Sequence, residues 1–319
     1  MRPAGSLTGF LIGFFVVQML AQLLVGRRSL PIIPPHAVGQ QPSRVLCWIP
    51  FRFPDGSRNK STMVTRIQAT YGRECDKLVF VTENEANDEA EFLHHYYVRQ
   101  DRQDLWNQVS RGWWMIAQRY SSQYDWFVKL DADSLFMPGN FRYLAKEHKW
   151  DPNSYLYFGH TVFEQSRDLD DPKAQFNLGA GYGISRALLQ LMHPYFASPD
   201  PTQNLLPKEK RCLEQVRWGE DVKFADCLRV ALPHLLSEET RDGHHRETFL
   251  PFEPGYHLGV LTRMDVKWYW RGKDPVTGSQ PLLECCSPRP VLFHHLKSNS
   301  GFFSVDYATN RVMVDPLLL

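Results

Sequence analysis

Three short apolar runs, separated by stretches of helical composition, limit what this chain can fold into. "RVLCWI" (44–49), "KLVFVT" (77–82) and "DWFVKL" (125–130) are rich in β-branched and aromatic residues with little polar alternation, as strands are when both faces of a parallel sheet are covered. Between the first two, "STMVTRIQATY" has helical composition and stops at Gly72. Before the third, "DLWNQVSRGWWMIAQRY" lines up Leu105, Val109, Trp113, Ile116 and Tyr120 on one helical face. This β-α alternation predicts an α/β fold, and in an open α/β sheet ligands bind at the carboxyl ends of the strands. The third run delivers Asp131 to such an end.

Asp131 and Asp133 stand one residue apart in "FVKLDADSLFM". Two carboxylates in an irregular turn beyond a strand can converge on one hard divalent cation, with diphosphate oxygens and water in the remaining positions. The plainer alternative is a solvated turn or a helix cap, for which Asp is equally suited.

The rest of the chain sets the context. Lys and Arg number 36 against 35 Asp and Glu, so no global field draws the protein to nucleic acid, and function must reside in a local site. From Leu7 to Val25 the chain carries no formal charge, and its length is about that of a bilayer-crossing helix. The expected organisation is a tail at 1–6, a transmembrane anchor at 7–25, a Pro-rich stem at 26–43 and a folded domain at 44–319. A cleaved signal peptide is the alternative for the apolar run, and the flanking Arg2, Arg27 and Arg28 leave its orientation undecided. All six cysteines, at 47, 75, 212, 227, 285 and 286, follow the run. That suits an oxidising compartment, with reduced core cysteines as the alternative. Cys47 falls in the first strand and Cys75 just before the second, so a bridge is geometrically easy. Cys212 is expected to pair with Cys227, and Cys285 with Cys286 in a vicinal bridge. "NKS" at Asn59 is a glycosylation acceptor if it faces a lumen.

Further motifs follow in order: "YFGH" at 157, "GAGYGISRALL" at 179, "EDVKFADCL" at 220, "ETFLPF" at 247, "WYW" at 268, "ECCS" at 284 and "VLFHHL" at 291. With "DWFVKLDADS" they make the chain, from about Arg44 to Leu296, resemble the core 1 β1,3-galactosyltransferase (T-synthase) branch of glycosyltransferase family 31. The resemblance implies a GT-A, Rossmann-like nucleotide-diphospho-sugar transferase fold and a single-pass type II Golgi protein with its catalytic domain in the lumen. It implies UDP-galactose as donor, GalNAc on serine or threonine of a glycoprotein as acceptor, Mn2+ as cofactor and a homodimer as a possible assembly. Asp131 and Asp133 match the family's D-x-D motif, and His294 matches the C-terminal histidine that completes the metal shell, with His295 beside it as the competing ligand. Imidazole with carboxylates suits manganese better than magnesium.

The resemblance also assigns the general base to Asp221, next to Glu220 at the donor and acceptor site. An acidic pair in a helix's first turn is also favoured by the helix dipole alone. Gly179 and Gly181 would let backbone approach a sugar. Trp268, Tyr269 and Trp270 would form an aromatic wall for the acceptor, although buried core aromatics are the commoner use of such residues. The chain departs from the branch where Trp106, Asn107 and Gln108 replace a "WKT" segment, and after "WYW", where "RGKDPVTG" replaces an aromatic-rich run. Two other readings stand beside this one: a family 31 β1,3-transferase with another donor or acceptor, and a non-catalytic relative like the T-synthase chaperone, which lacks a D-x-D motif.

Overall fold

A computed structural model describes residues 43–51, 62–82, 91–94, 105–163, 175–207, 210–212, 219–257, 286–296 and 298–307. The chain divides into a unit spanning Ser43–Asp306 and a second formed by Met1–Pro42 with Tyr307–Leu319. Apart from Tyr307, the second lies outside the described residues. No helix among the described residues is long and apolar enough to cross a membrane. The expected anchor at 7–25, the stem, Asn59 and Trp268–Trp270 also lie outside them.

The larger unit is built on a six-stranded sheet. Its strands are β1 (Val45–Pro50), β2 (Lys77–Thr82), β3 (Glu91–His94), β4 (Trp126–Leu130), β6 (Tyr157–Phe163) and β7 (Gln175–Ser185). They lie in the order β3-β2-β1-β4-β7-β6. The first four run parallel, whereas β7 is antiparallel to both β4 and β6. A smaller sheet joins β5 (Leu135–Phe136), β9 (Leu292–Phe293) and β8 (Phe249–Leu250) in the order β5-β9-β8. The helices are α1 (Thr62–Ala69), α2 (Leu105–Tyr120), α3 (Pro138–Glu147), α4 (Arg186–Met192), α5 (Glu220–Ala231), α6 (Pro254–His257) and α7 (Asn299–Tyr307).

Burial follows the strand periodicity. Val45, Cys47 and Ile49 of β1 enter one apolar cluster, and Leu46 and Trp48 enter another across the sheet. Each large side chain so buried contributes about 1.5–3 kcal/mol. On α2, Val109, Trp113, Ile116 and Tyr120 pack against the sheet. Gly112 is what lets them: a Cβ there would stand 2.7 Å from the Trp48 ring, whose edge meets Trp113 at a centroid distance of 5.0 Å.

Two disulfides tie the unit together. Cys47–Cys75 links β1 to the turn that enters β2, and Cys212–Cys227 pins α5. Cys286 is disulfide-bonded as well, and its expected partner Cys285 lies outside the described residues.

The glycine-rich "NLGAGYGIS" is part of an 11-residue strand, not a loop. Within it Gly181 pairs with Leu130 across β4–β7. The place its Cβ would occupy is filled by Leu292 Cδ1 and Leu130 Cδ2. Gly181 therefore leaves room for the Leu292 and Leu130 side chains.

Candidate functional site

The D-x-D turn begins where β4 ends. Asp131 N donates to Ala180 O of β7 (3.3 Å), and Ser134 N closes the turn onto Asp131 O (3.0 Å). Ser134 Oγ, fully buried, donates to Ala180 O at 2.5 Å. Two further elements hold the turn from outside: Leu296 N donates to Asp133 O (3.0 Å), and Arg66 Nη2 of α1 donates to Ala132 O (3.3 Å).

The smaller sheet then brings in residues from far along the chain. Because β5 follows the turn directly and pairs with β9, the residues after β9 arrive over the two aspartates. His294 Nε2 lies 3.0 Å from Asp133 Oδ1, across a separation of 161 residues, and 3.6 Å from Asp131 Oδ2. His295 Nδ1 lies 3.8 Å from Asp133 Oδ2. One donor atom from each of Asp133, His294 and His295 falls within 4.8 Å of the others. Burial alone would push the Asp133 carboxyl up, but the hydrogen bond and charge of His294, with His295 adding, hold it below its ordinary value.

This donor set fits a divalent cation. Two ligands at right angles, each about 2.1 Å from a metal, stand about 3 Å apart, which is the spacing of Asp133 Oδ1 and His294 Nε2. Asp131 and Asp133 remain 37% and 29% exposed, so the group is open on one side to a ligand.

Behind the turn sits Lys129, 1% exposed within β4. Its Nζ donates to Asp131 Oδ1 (2.7 Å), Gly179 O (2.8 Å) and Glu220 Oε1 (2.6 Å), which uses all three ammonium hydrogens. Burial disfavours its charge, yet the two carboxylates outweigh burial and hold the amine above its ordinary value.

Helix α5 starts beside this lysine, with Gly219 as its N-cap and Glu220 and Asp221 in its first turn. The two acids are used differently. Glu220 is 5% exposed, and its oxygens accept from Lys129 Nζ and from Tyr182 OH (2.7 Å). Burial, with Asp221 and Asp131 adding, pushes its carboxyl up to about 7 against the pull of Lys129. Glu220 is thus an internal ion-pair partner of Lys129.

Asp221 is only partly buried. Its Oδ2 accepts from Gly179 N (3.1 Å) and its Oδ1 from Val222 N (2.9 Å). Burial raises its carboxyl, opposed by those two backbone N–H groups, so the group is a stronger base than an ordinary aspartate. A Cβ on Gly179 would stand 2.8 Å from Glu220 Oε1, so this glycine is needed where strand and helix meet.

Lys129, Tyr182 and Arg66 also belong to this site, although no role was expected of them from the sequence. Lys129 had a visible signal: it is the one cation within "WFVKL", and a cation in a strand buried on both faces must find carboxylates.

No family model matches the chain. Over 333 aligned positions it is 24% identical to the glycoprotein-N-acetylgalactosamine 3-beta-galactosyltransferase 1 of Xenopus laevis, covering 95% of this chain and 82% of that protein. Among solved structures it overlaps the mannosyltransferase Ktr4p of S. cerevisiae at 10% identity, with 72% of this chain and 78% of that one covered and a TM-score of 0.35. It also overlaps a CMP:2-keto-3-deoxy-manno-octonic acid synthetase bound to CTP at 11% identity, covering 51% and 83%, with a TM-score of 0.30. Overlaps this loose carry no argument about this chain.

Proposed function

We propose that the chain is an inverting glycosyltransferase of GT-A fold in family 31, moving galactose from UDP-galactose in β1,3 linkage to GalNAc on serine or threonine of glycoproteins. The observation that carries this reading is the meeting of Asp133 with His294 at 3.0 Å, beside a helix whose first turn presents Asp221. A surface turn has no need to recruit a histidine from so far along the chain. The 24% identity to a galactosyltransferase over nearly the whole chain supports the choice of donor and acceptor.

In this reading Asp131, Asp133 and His294 hold the cation, taken to be Mn2+. When bound, it acts as a Lewis acid that neutralises charge on the departing diphosphate. Lys129 keeps Asp131 in place, and Arg66 holds the turn through Ala132 O. Asp221 accepts the proton of the acceptor hydroxyl as that oxygen attacks the sugar carbon opposite UDP. The backbone N–H of Gly179 and Val222 fix the carboxylate's orientation. Trp268, Tyr269 and Trp270 supply the acceptor wall, and residues 7–25 anchor the protein in the Golgi membrane with the domain in the lumen.

Turnover by the purified chain, measured with UDP-galactose, UDP-GlcNAc and UDP-glucose on an aryl α-GalNAc acceptor, tests the proposal. Galactose transfer that chelation abolishes and Mn2+ restores is expected. Transfer of another sugar instead would keep the enzyme class and discard the donor. A folded, metal-binding chain inactive with every donor would favour the non-catalytic relative.

A further inference from the structure

His295 is a departure from ordinary backbone geometry with a specific result. Side chains of consecutive residues in an extended segment point to opposite sides, so the residues after β9 should send one imidazole to the D-x-D turn and the other away. Instead His295 takes φ +62°, a left-handed conformation that only Lys149 and His245 share among the described non-glycine residues. That conformation is disfavoured in a residue with a Cβ. Its consequence is that the His294 and His295 rings stack on the same side, with centroids 3.9 Å apart and planes 26° from parallel.

Neighbours hold this arrangement on every side. Phe252 also stacks on His295 (6.2 Å, 20°). The backbone is fixed at both ends of the pair: His294 N donates to Phe252 O (3.4 Å) and Leu296 N to Asp133 O (3.0 Å). The two imidazoles therefore address the two oxygens of one carboxylate. His294 Nε2 is 3.0 Å from Asp133 Oδ1 and His295 Nδ1 is 3.8 Å from Oδ2.

We propose that His295 is a second imidazole ligand of the cation held by the D-x-D turn, and that it sets the ion preference of this site against Mg2+. The inference rests on the reading of Asp131, Asp133 and His294 as a metal site. A set of two carboxylates and two imidazoles is poorly matched to Mg2+, which favours an all-oxygen octahedron. It suits first-row ions increasingly from Mn2+ to Co2+. The ring is 45% exposed, so it can be removed without opening the core.

The test is metal binding to the full-length chain in detergent, with no sugar nucleotide present. Mn2+ is followed by its free-ion paramagnetic resonance signal, Co2+ by its visible absorption and Mg2+ by competition against Mn2+. His295→Ala is expected to weaken Co2+ binding about tenfold or more and Mn2+ binding severalfold, while Mg2+ binding stays within about twofold. The intensity of the Co2+ bands should change as one nitrogen donor is lost. Asp133→Ala should abolish binding of all three ions. If His295→Ala binds Co2+ as tightly as the parent with an unaltered spectrum, His295 is no ligand, and the metal site stands without it. If the parent chain binds none of the three ions, this inference and the metal reading beneath it fall together.

Discussion

Lys129 Nζ lies 2.6 Å from Glu220 Oε1, and the two side chains are 1% and 5% exposed. One buried cation thus connects the strand that presents Asp131 to the helix that presents Asp221. A well-packed apolar pair would stabilise as much or more, so the value of the ion pair lies in orientation. Removing one partner is a different matter. Lys129→Met strands Glu220 without a counter-ion and should cost about 3–5 kcal/mol of stability. Adding Glu220→Gln should return a large part of that loss. Urea unfolding of the single and double variants measures it, and additive losses would show that the two residues are not energetically coupled.

Gly181 gives a second prediction, linking packing to the site. A Cβ there would run into Leu292 Cδ1 and stand 3.0 Å from Leu130 Cδ2. Leu292 belongs to β9, two residues before His294. Gly181→Ala should therefore destabilise by about 1–3 kcal/mol through overpacking, and should also weaken metal binding by displacing His294. Loss of stability with unchanged metal affinity would show that β9 gives way without moving the histidine.

How far the sequence disclosed this arrangement depends on the range of the interactions. Three of the four parallel strands, β1, β2 and β4, and helix α2 were legible, because burial on both faces and one helical stripe are local periodicities, whereas β3 (Glu91–His94) was not anticipated. The expected runs agree with β1, β2 and β4 to within a residue. Asp131 and Asp133 stood out as a candidate pair by their place beyond a strand, but His294 was legible only through resemblance, since nothing local in "VLFHHL" says that β9 pairs with β5. That "GAGYGIS" forms a strand was not legible. Its glycines carry no β-propensity, and the strand is held by its pairing with β4 and β6. The left-handed turn at His295 has no sequence signal apart from the histidine's own modest tolerance of positive φ.

A third prediction concerns acid stability. Asp242 Oδ1 accepts from His244 N (2.9 Å) and Arg246 N (3.0 Å), and its Oδ2 accepts from Arg246 Nε (2.9 Å). This knot precedes Glu247, Thr248 and β8, which pairs with β9. Burial would raise the Asp242 carboxyl, but Arg246 and the backbone donors outweigh it and hold it below its ordinary value. A depressed folded-state pKa means stability present above the unfolded value, about 3.9, and lost as pH falls through the folded one. Asp242→Asn should cost about 1.5–3 kcal/mol at pH 7 and progressively less below about pH 4. Urea midpoints at pH 7 and pH 3 test this, and an equal cost at both would remove Asp242 from the acid transition.

The two adjacent acids of α5 should fail in different ways. Successive helical residues point about 100° apart, and here Glu220 turns into the protein toward Lys129 and Tyr182 while Asp221 stays partly exposed. As general base, Asp221 should contribute about 10²- to 10⁴-fold to turnover. Asp221→Asn should therefore lower kcat by that order while leaving metal binding nearly unchanged, with a modest loss of thermal stability because the amide has one oxygen for the two donors, Gly179 N and Val222 N, that bond to separate carboxylate oxygens. Burial raises the Asp221 carboxyl, so kcat/KM in the parent should decline with acid at a pH above the ordinary aspartate range. That limb should be missing from the residual activity of the Asn variant. Glu220→Gln should show the opposite pattern, with a lower melting temperature from a weakened contact to Lys129 and a kcat that recovers at temperatures where the fold is intact. Near-parent turnover by a folded Asp221→Asn protein, with its acid limb unaltered, would take the base assignment away from Asp221.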